Sequence, residues 1–112
     1  MDKMQLIKML LCEEETPTPR NGDGRKVIVR SRDAGVIYGE YAGSDGSTIH
    51  VRNARQLWKW FAAEGISLID VATHGVRADR CKFSPSQATV TVFNACALID
   101  VTDAAAKSIE AV

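Results

Sequence analysis

The chain has 112 residues, which is enough for one modest hydrophobic core and too few for two domains. Its composition is 46% hydrophobic and 25% charged, as in ordinary soluble proteins, and a formal net charge of zero excludes an overall field that would attract nucleic acid or a membrane surface. The charge is uneven, because residues 25–83 carry ten Lys/Arg against six Asp/Glu, a local excess of four that suits a small anion better than DNA.

Residues 1–25 are predicted to form an arm and a linker outside the folded domain. Residues 1–12 carry apolar side chains at helical spacing, which predicts a short amphipathic helix. Lys8 interrupts this segment, no cleavage site follows it, and it is too short to span a bilayer. Residues 13–25 are polar and rich in turn formers, so we expect a flexible linker before a domain that covers residues 26–112.

The domain is predicted to begin with three short strands. Residues 27–30 are rich in β-branched side chains, and residues 36–41 and 47–52 follow the two-residue period of a strand. Turn-forming residues at 33–35 and 43–46 separate these strands. Short strands joined by tight turns predict an antiparallel meander.

The apolar period then changes from two to about four, which predicts a helix that begins at Asn53 and ends at Gly65. The apolar face of this helix would carry Ala54, Leu57, Trp58 and Phe61. We therefore expect Trp58 in the core, whereas Trp60 falls off this face and is available to an oligomer interface.

The remainder of the chain predicts a loop, a long strand and a closing helix. Residues 66–75 mix helix and strand signals, and a short second helix is one interpretation. Residues 77–82 predict a polar loop, and residues 88–101 form the longest β run of the chain. Thr102 and Asp103 have the side chains that cap a helix. The elements together predict a single-domain α+β fold, an antiparallel β-sheet flanked by two main helices.

The sequence contains no recognisable catalytic constellation. His50 and His74 are not arranged as metal ligands, and no nucleophile-elbow, P-loop or dinucleotide-binding glycine motif is present. The three cysteines lack metal-ligand spacing, and their odd number without a secretion signal favours reduced thiols in the cytoplasm. We expect a protein without enzymatic activity, bound metal or cofactor.

Basic and aromatic side chains form the most informative set. Guanidinium groups bind phosphate oxygens in pairs, and aromatic rings or guanidinium planes stack on bases. The set comprises Arg30, Arg32, Arg52, Arg55, Trp58, Trp60, Lys82 and Phe83. It predicts a site for a nucleotide-sized anion, to which the helix beginning at Asn53 would contribute its first amides. Solvated arginines and a packed Trp58 are the structural alternative.

Five segments between residues 27 and 109 share their pattern with a known phage family. They are VIVRSRDAGVIYGEY, NARQLWKW, the Ser-Leu and His-Gly-Val elements of ISLIDVATHGV, CKF and IDVTDAAAKSI. Over these residues the chain resembles the first type of Thoeris anti-defence sponge. The resemblance implies a non-catalytic protein in the cytoplasm of the infected bacterial host, where it binds cyclic ADP-ribose isomers such as glycocyclic ADP-ribose. It also implies a homodimer or hexamer and, in some members, a separate site for cyclic tri- or dinucleotides.

The resemblance assigns ligand-binding roles to five residues. The family's strand arginine corresponds to Arg30, with Arg32 as the alternative, and its helix arginine corresponds to Arg55; these arginines would bind the pyrophosphate. Phe83 would stack on the adenine ring, and Asn94 would read the edge of the base. Lys107, near the last helix, would be supplied by the neighbouring subunit.

Three alternatives remain open. A small phage nucleic-acid-binding or regulatory module would use the same arginine and tryptophan surface, an enzyme would degrade the signal, and a virion or assembly protein would need no ligand. The neutral charge disfavours the first, and the lack of recognisable catalytic residues disfavours the second. Asp100 departs from the family pattern beside the predicted anion site, so we expect its carboxylate to point outward.

Overall fold

The computed structural model describes residues 22–112, so the predicted N-terminal helix and most of the predicted linker lie outside the described residues. The described part contains six strands and two helices, which confirms the α+β fold with an antiparallel sheet. In chain order they are β1 (Lys26–Ser31), β2 (Gly35–Asp45), β3 (Thr48–Lys59), α1 (Leu68–His74), β4 (Lys82–Phe83), β5 (Gln87–Val92), β6 (Ala95–Asp100) and α2 (Asp103–Glu110), with a short 3₁₀ turn at Ala78–Arg80.

The sheet has the strand order β4-β3-β2-β1-β6, and β5 pairs with the first half of β3. β5 and β6 therefore lie toward opposite edges, although only Phe93 and Asn94 connect them. Hydrogen bonds join this region both to the turn between β2 and β3 and to the end of β1. The Ala95 amide donates to the Ser47 carbonyl oxygen at 2.8 Å, and the Ser31 hydroxyl donates to the Phe93 carbonyl oxygen at 3.0 Å. The sheet is consequently curled.

A β-bulge in β3 aims the next side chain toward the helices. In the β2–β3 ladder, Gly39 faces two residues, Asn53 and Ala54, and Asn53 has a φ of 49°. The backbones approach so closely that a Cβ atom on Gly39 would lie 2.7 Å from the Arg52 carbonyl oxygen. Bulges next to functional sites re-aim side chains, and here Arg55 follows the bulge and points to the helix-covered face.

Each face of the sheet has its own core. β1 supplies both, since Ile28 packs toward the helices while Val27 and Val29 pack into the curl, all with 0% exposure. The helix-side core consists of Ile28, Tyr38, Leu57, Ala62, Val71, Ala72, Val76, Ala106 and Ile109. The core inside the curl consists of Val27, Val29, Ile37, Tyr41, Ile49, Val51, Ala54 and Val92. This alternation is the strand period of two, and it fixes the register of β1.

The two helices have the capping residues that their sequences indicate. Ser67 and Asp70 form a capping box at the start of α1, and the Thr102 hydroxyl accepts from an amide in the first turn of α2. The Ser108 hydroxyl joins α2 to the chain after α1 by accepting from the Val76 amide at 2.9 Å. Neither helix in residues 22–112 has the length and apolar character needed to cross a membrane.

The predicted helix from Asn53 to Gly65 is wrong, because residues up to Lys59 continue β3. Alternation along the strand buries Leu57 and leaves Trp58 76% exposed, so the expected core position of Trp58 is also wrong. The i, i+3, i+4 spacing of apolar residues around the bulge resembled a helical face. Pairing with β2, β4 and β5 outweighed this local pattern.

Other boundaries also differ from the predicted ones. The long β run of residues 88–101 is two strands, separated at Asn94 by a φ of 54°. The hairpin turn after β2 falls at residues 46–47. The last part of the predicted linker is held to the sheet, since the Gly24 amide donates to the Tyr41 carbonyl oxygen and the Tyr41 amide donates to that of Arg25.

Candidate functional site

The structure brings Arg55 and Phe83 together among the five predicted ligand-binding residues. Arg55 lies on β3 and Phe83 on β4, and the guanidinium carbon is 5.4 Å from the centre of the Phe83 ring. Pairing of Leu57 with Phe83 places the ring beside the strand that carries Arg55. Such an arrangement is a cation–π contact, and it places the guanidinium charge over the face of an aromatic ring.

Arg55 is half-buried and anchored by two backbone carbonyls. Its Nε atom donates to the Ser84 carbonyl oxygen at 2.8 Å, and its Nη1 atom donates to the Ile109 carbonyl oxygen at 3.2 Å. Ile109 belongs to the last turn of α2, and its carbonyl oxygen also accepts from the Val112 amide at 3.2 Å. Arg55 thus joins β3, the segment after β4 and the C-terminal end of α2.

A polar cavity of about 350 Å³ lies beside Arg55, between the sheet and the end of α2. This volume is near the lower end of the range of roughly 300–1,000 Å³ that small-molecule sites occupy. The cavity is lined by Lys26, Tyr38, Gly39, Glu40, Asn53, Arg55, Ser86 and Glu110. The lining combines two cations, two carboxylates, a phenol and an amide, so it is suited to a polar ligand.

An ion-pair network occupies one side of the cavity. The Tyr38 hydroxyl donates to Glu110 Oε2, and the Lys26 ammonium lies 3.0 Å from the same oxygen and 3.5 Å from Glu40 Oε2. The Asn53 amide also donates to Glu40 Oε2, at 3.2 Å. These contacts couple α2 to β1 and β2.

The network shifts the pKa values of its members in consistent directions. Burial raises the pKa of Tyr38 far above its ordinary value, and the hydrogen bond to Glu110 adds to this effect. The Tyr38 hydroxyl, followed by Lys26, lowers the pKa of Glu110 below its ordinary value. The pKa of Lys26 is raised by Glu110. At neutral pH the network therefore contains a neutral phenol, an ammonium and a carboxylate.

Arg30 and Asn94 lie at a different end of β1. Arg30 is exposed, and the Cys96 thiol is 3.3 Å from its carbonyl oxygen. Asn94 is exposed in the β5–β6 connection, and its Nδ2 atom is 3.5 Å from the Asp33 carboxylate in the β1–β2 turn. The β1–β6 pairing at Ser31 places this pair beside the turn and away from the cavity lining.

Lys107 is exposed on α2, and Asp100 is exposed at the end of β6 as expected. The Asp100 carboxylate binds the Arg25 Nε atom at 2.9 Å. The predicted anion site at a helix N-terminus near Asn53 is wrong, because Asn53 lies within β3. Within residues 22–112, no cluster of three or more His, Cys, Asp or Glu side chains could hold a metal ion.

Sequence reasoning missed most of the cavity lining. Tyr38 and Glu40 share a strand face by their spacing of two, and this signal was visible in the sequence. The contacts of Tyr38 and Glu40 with Lys26 and Glu110 form because β1 pairs with β2 and because α2 packs against this face of the sheet. Asn53 lines the cavity because of the bulge in β3. The sequence indicates this bulge only through the asparagine itself, a residue type that tolerates positive φ.

The fold and the cavity define a small α+β domain with a polar recess between a curled antiparallel sheet and its C-terminal helix. Residues 24–109 match the family described as "Domain of unknown function (DUF6948)". The chain belongs to this family, and the matched range extends from just before β1 into the last turn of α2. No curated protein and no solved structure matches the chain significantly.

Proposed function

We propose that this protein is a non-catalytic sponge that binds a cyclic nucleotide immune signal and thereby inhibits bacterial anti-phage defence. The proposed ligand is a cyclic ADP-ribose isomer, with cyclic tri- or dinucleotides as a second class. The observation that carries the proposal is Arg55, which lines the polar cavity and lies over the Phe83 ring, on segments that resemble the Thoeris anti-defence sponges. The proposed place of action is the cytoplasm of the infected host cell.

Arg55 has the properties that tight binding of a phosphate requires. Two of its nitrogen atoms are held by carbonyl oxygens, and within the described residues its Nη2 atom makes no hydrogen bond. A guanidinium fixed in this way loses little conformational freedom when a ligand binds, and its bonds to phosphate oxygens are charge-assisted. Phe83 supports the guanidinium, and stacking of a base on the pair would contribute about 1–3 kcal/mol.

The size of the cavity supports a site that two copies share. A recess of about 350 Å³ would enclose only part of a ligand that contains two phosphates, two riboses and an adenine. We propose that a second copy, in a homodimer or in a homohexamer, covers the rest of the ligand. Four of the five predicted ligand-binding residues do not line the cavity of their own chain: Arg30, Phe83, Asn94 and Lys107. Of these, Lys107 is the one proposed to contact the ligand of the neighbouring copy.

Retention followed by heat release tests the proposal. The full chain is incubated with cyclic ADP-ribose isomers, cyclic trinucleotides and a short oligonucleotide, freed of unbound ligand, heated, and the supernatant is analysed by chromatography. A sponge releases an intact cyclic nucleotide, whereas a chemically altered one indicates an enzyme. Retention of the oligonucleotide alone, or of nothing, overturns the proposal.

Arg55→Ala and Arg52→Ala form a matched pair for this experiment. Both arginines lie on β3, but Arg52 is exposed and does not line the cavity. We expect Arg55→Ala to lose retention and Arg52→Ala to keep it. Because Arg55 also anchors α2, a thermal unfolding curve must show that the Arg55→Ala protein is folded at the temperature of the assay.

A further inference from the structure

We propose that Glu110 occupies, in the free protein, the position that a phosphate group of the ligand takes, and that binding displaces this carboxylate into solvent. The inference rests on the proposed function and adds to it a phosphate subsite formed by Lys26 and Tyr38 on the sheet. Glu110 is then a built-in competitor of the ligand.

The contacts of Glu110 show what kind of group this position accepts. Its Oε2 atom receives a hydrogen bond from the Tyr38 hydroxyl and lies 3.0 Å from the Lys26 ammonium. A hydroxyl and an ammonium converging on one anionic oxygen are equally suited to a phosphate oxygen. The two donors belong to adjacent strands, since Lys26 pairs with Glu40 and Ile28 with Tyr38, so their spacing is fixed by the sheet.

Glu110 can leave without movement of α2. Its side chain is 46% exposed, and it is the last residue of the helix. The neighbouring Ile109 is fully buried, and its carbonyl oxygen is held by Arg55, so the backbone stays in place. A rotation of the Glu110 side chain alone exposes the Tyr38 hydroxyl and the Lys26 ammonium to the cavity.

The charge of the cavity changes with this rotation. The lining has the cations Lys26 and Arg55 and the anions Glu40 and Glu110, which sum to zero. When Glu110 is in solvent, the remaining lining has an excess of one positive charge. The electrostatic potential of the cavity then favours a phosphate, whereas the lining with Glu110 in place has no net charge to attract one.

Competition of this kind makes the apparent affinity proportional to the fraction of molecules in which Glu110 has left the site. The apparent dissociation constant equals the intrinsic constant divided by the fraction of molecules whose site is open. Removing the charge of Glu110 should therefore tighten the binding of any ligand that carries a phosphate. A purely structural Glu110 would instead give unchanged or weaker binding when it is replaced.

Calorimetric titration of Glu110→Gln with inorganic pyrophosphate and with the retained cyclic nucleotide tests the inference. Asp103→Asn is the matched control, because it removes the same charge from the exposed first turn of α2. We expect Glu110→Gln to bind both ligands about threefold or more tightly than wild type, as replacing one partly exposed ion-pair partner predicts. Asp103→Asn should resemble wild type, and Lys26→Gln should bind both ligands more weakly.

The outcomes separate this inference from the proposed function. If wild type retains the nucleotide but Glu110→Gln and a second variant, Glu110→Ala, bind it no more tightly, the phosphate subsite is wrong and the sponge stands. If no nucleotide is retained but Glu110→Gln binds pyrophosphate more tightly than wild type, the sponge is wrong and the subsite stands. Pyrophosphate binding by none of the proteins, together with unchanged nucleotide binding, also overturns the subsite.

Discussion

The Tyr38 hydroxyl donates a hydrogen bond to the Glu110 carboxylate, and so the middle of the sheet is joined directly to the last turn of the chain's final helix. Tyr38 is 2% exposed, whereas the Glu110 side chain is 46% exposed. The bond therefore has one end fixed in the core and one end at the surface. Its strength depends on the charge of Glu110, which gives the first prediction.

The stability contribution of Glu110 should depend on pH in the acid range. Its pKa is lowered in the folded state from an ordinary value of 4.5, so its contribution is fully present above about pH 4.5 and is lost as the pH falls through the folded-state value. We expect Glu110→Gln to lower the free energy of unfolding by about 0.5–1 kcal/mol at pH 7, a figure reduced for the exposure of the group. Urea unfolding of both proteins between pH 7 and pH 3 measures this difference, which should shrink toward the acid end. A pH-independent difference contradicts the assignment.

Leu57 and Trp58 should respond oppositely to truncation. Leu57 is 3% exposed in the helix-side core, and Trp58 is 76% exposed on the other face of the strand. We expect Leu57→Ala to cost about 2–5 kcal/mol of unfolding free energy and Trp58→Ala to change it by no more than about 0.5 kcal/mol. Chemical denaturation of the two variants checks both values. Losses of similar size would instead place both side chains in the core.

Gly39→Ala should destabilise the domain through the bulge. A Cβ atom there would lie 2.5 Å from Val51 Cγ1 and 2.7 Å from the Arg52 carbonyl oxygen, so the β2–β3 ladder must shift to accept it. Overpacking of this kind costs about 1–3 kcal/mol. Denaturant unfolding measures the cost, and an unchanged midpoint would show that the ladder has more room than this geometry provides.

Asn94 offers a way to separate a turn residue from a ligand residue. Glycine adopts its φ of 54° readily, whereas a β-branched side chain is strained there. We therefore expect Asn94→Val to lower the free energy of unfolding by about 1–2 kcal/mol and Asn94→Gly to lower it much less. If Asn94 reads a base edge, Asn94→Gly should stay folded but retain less cyclic nucleotide. Unfolding and retention assays on the same preparations decide this, and undiminished retention by Asn94→Gly would assign Asn94 to the turn alone.

The sequence predicted the structure best in segments whose residues fit only one type of secondary structure. The β-branched run of β1, the turn between β1 and β2 and the Thr102 cap of α2 all lie close to their predicted places. In these segments local preference and tertiary structure agree, because the buried faces follow the period that the sequence displays.

The wrong predictions concern segments in which helix and strand patterns overlap, and structures that depend on contacts between residues far apart in the sequence. Around Asn53 the bulge offsets the strand period by one residue, and the apolar positions that result also fit a helix. Residues 88–101 contain neither glycine nor proline, so the split at Asn94 had no strong turn signal. The cavity brings together residues from both ends of the described chain, such as Lys26 and Glu110, and no local pattern encodes that meeting.

The pairing of β1 with β6 has a consequence for how the domain folds. Val27 lies opposite Asp100, so one whole edge of β1 finds its partner only at the end of the chain. Ladders that close loops of this length form late and slow the folding of small domains. As the ribosome releases the chain from its N-terminus, the row of amides and carbonyls along that edge stays open until the last strand emerges. Such an edge can pair with other chains, so the protein is most prone to aggregation before β6 has paired with β1.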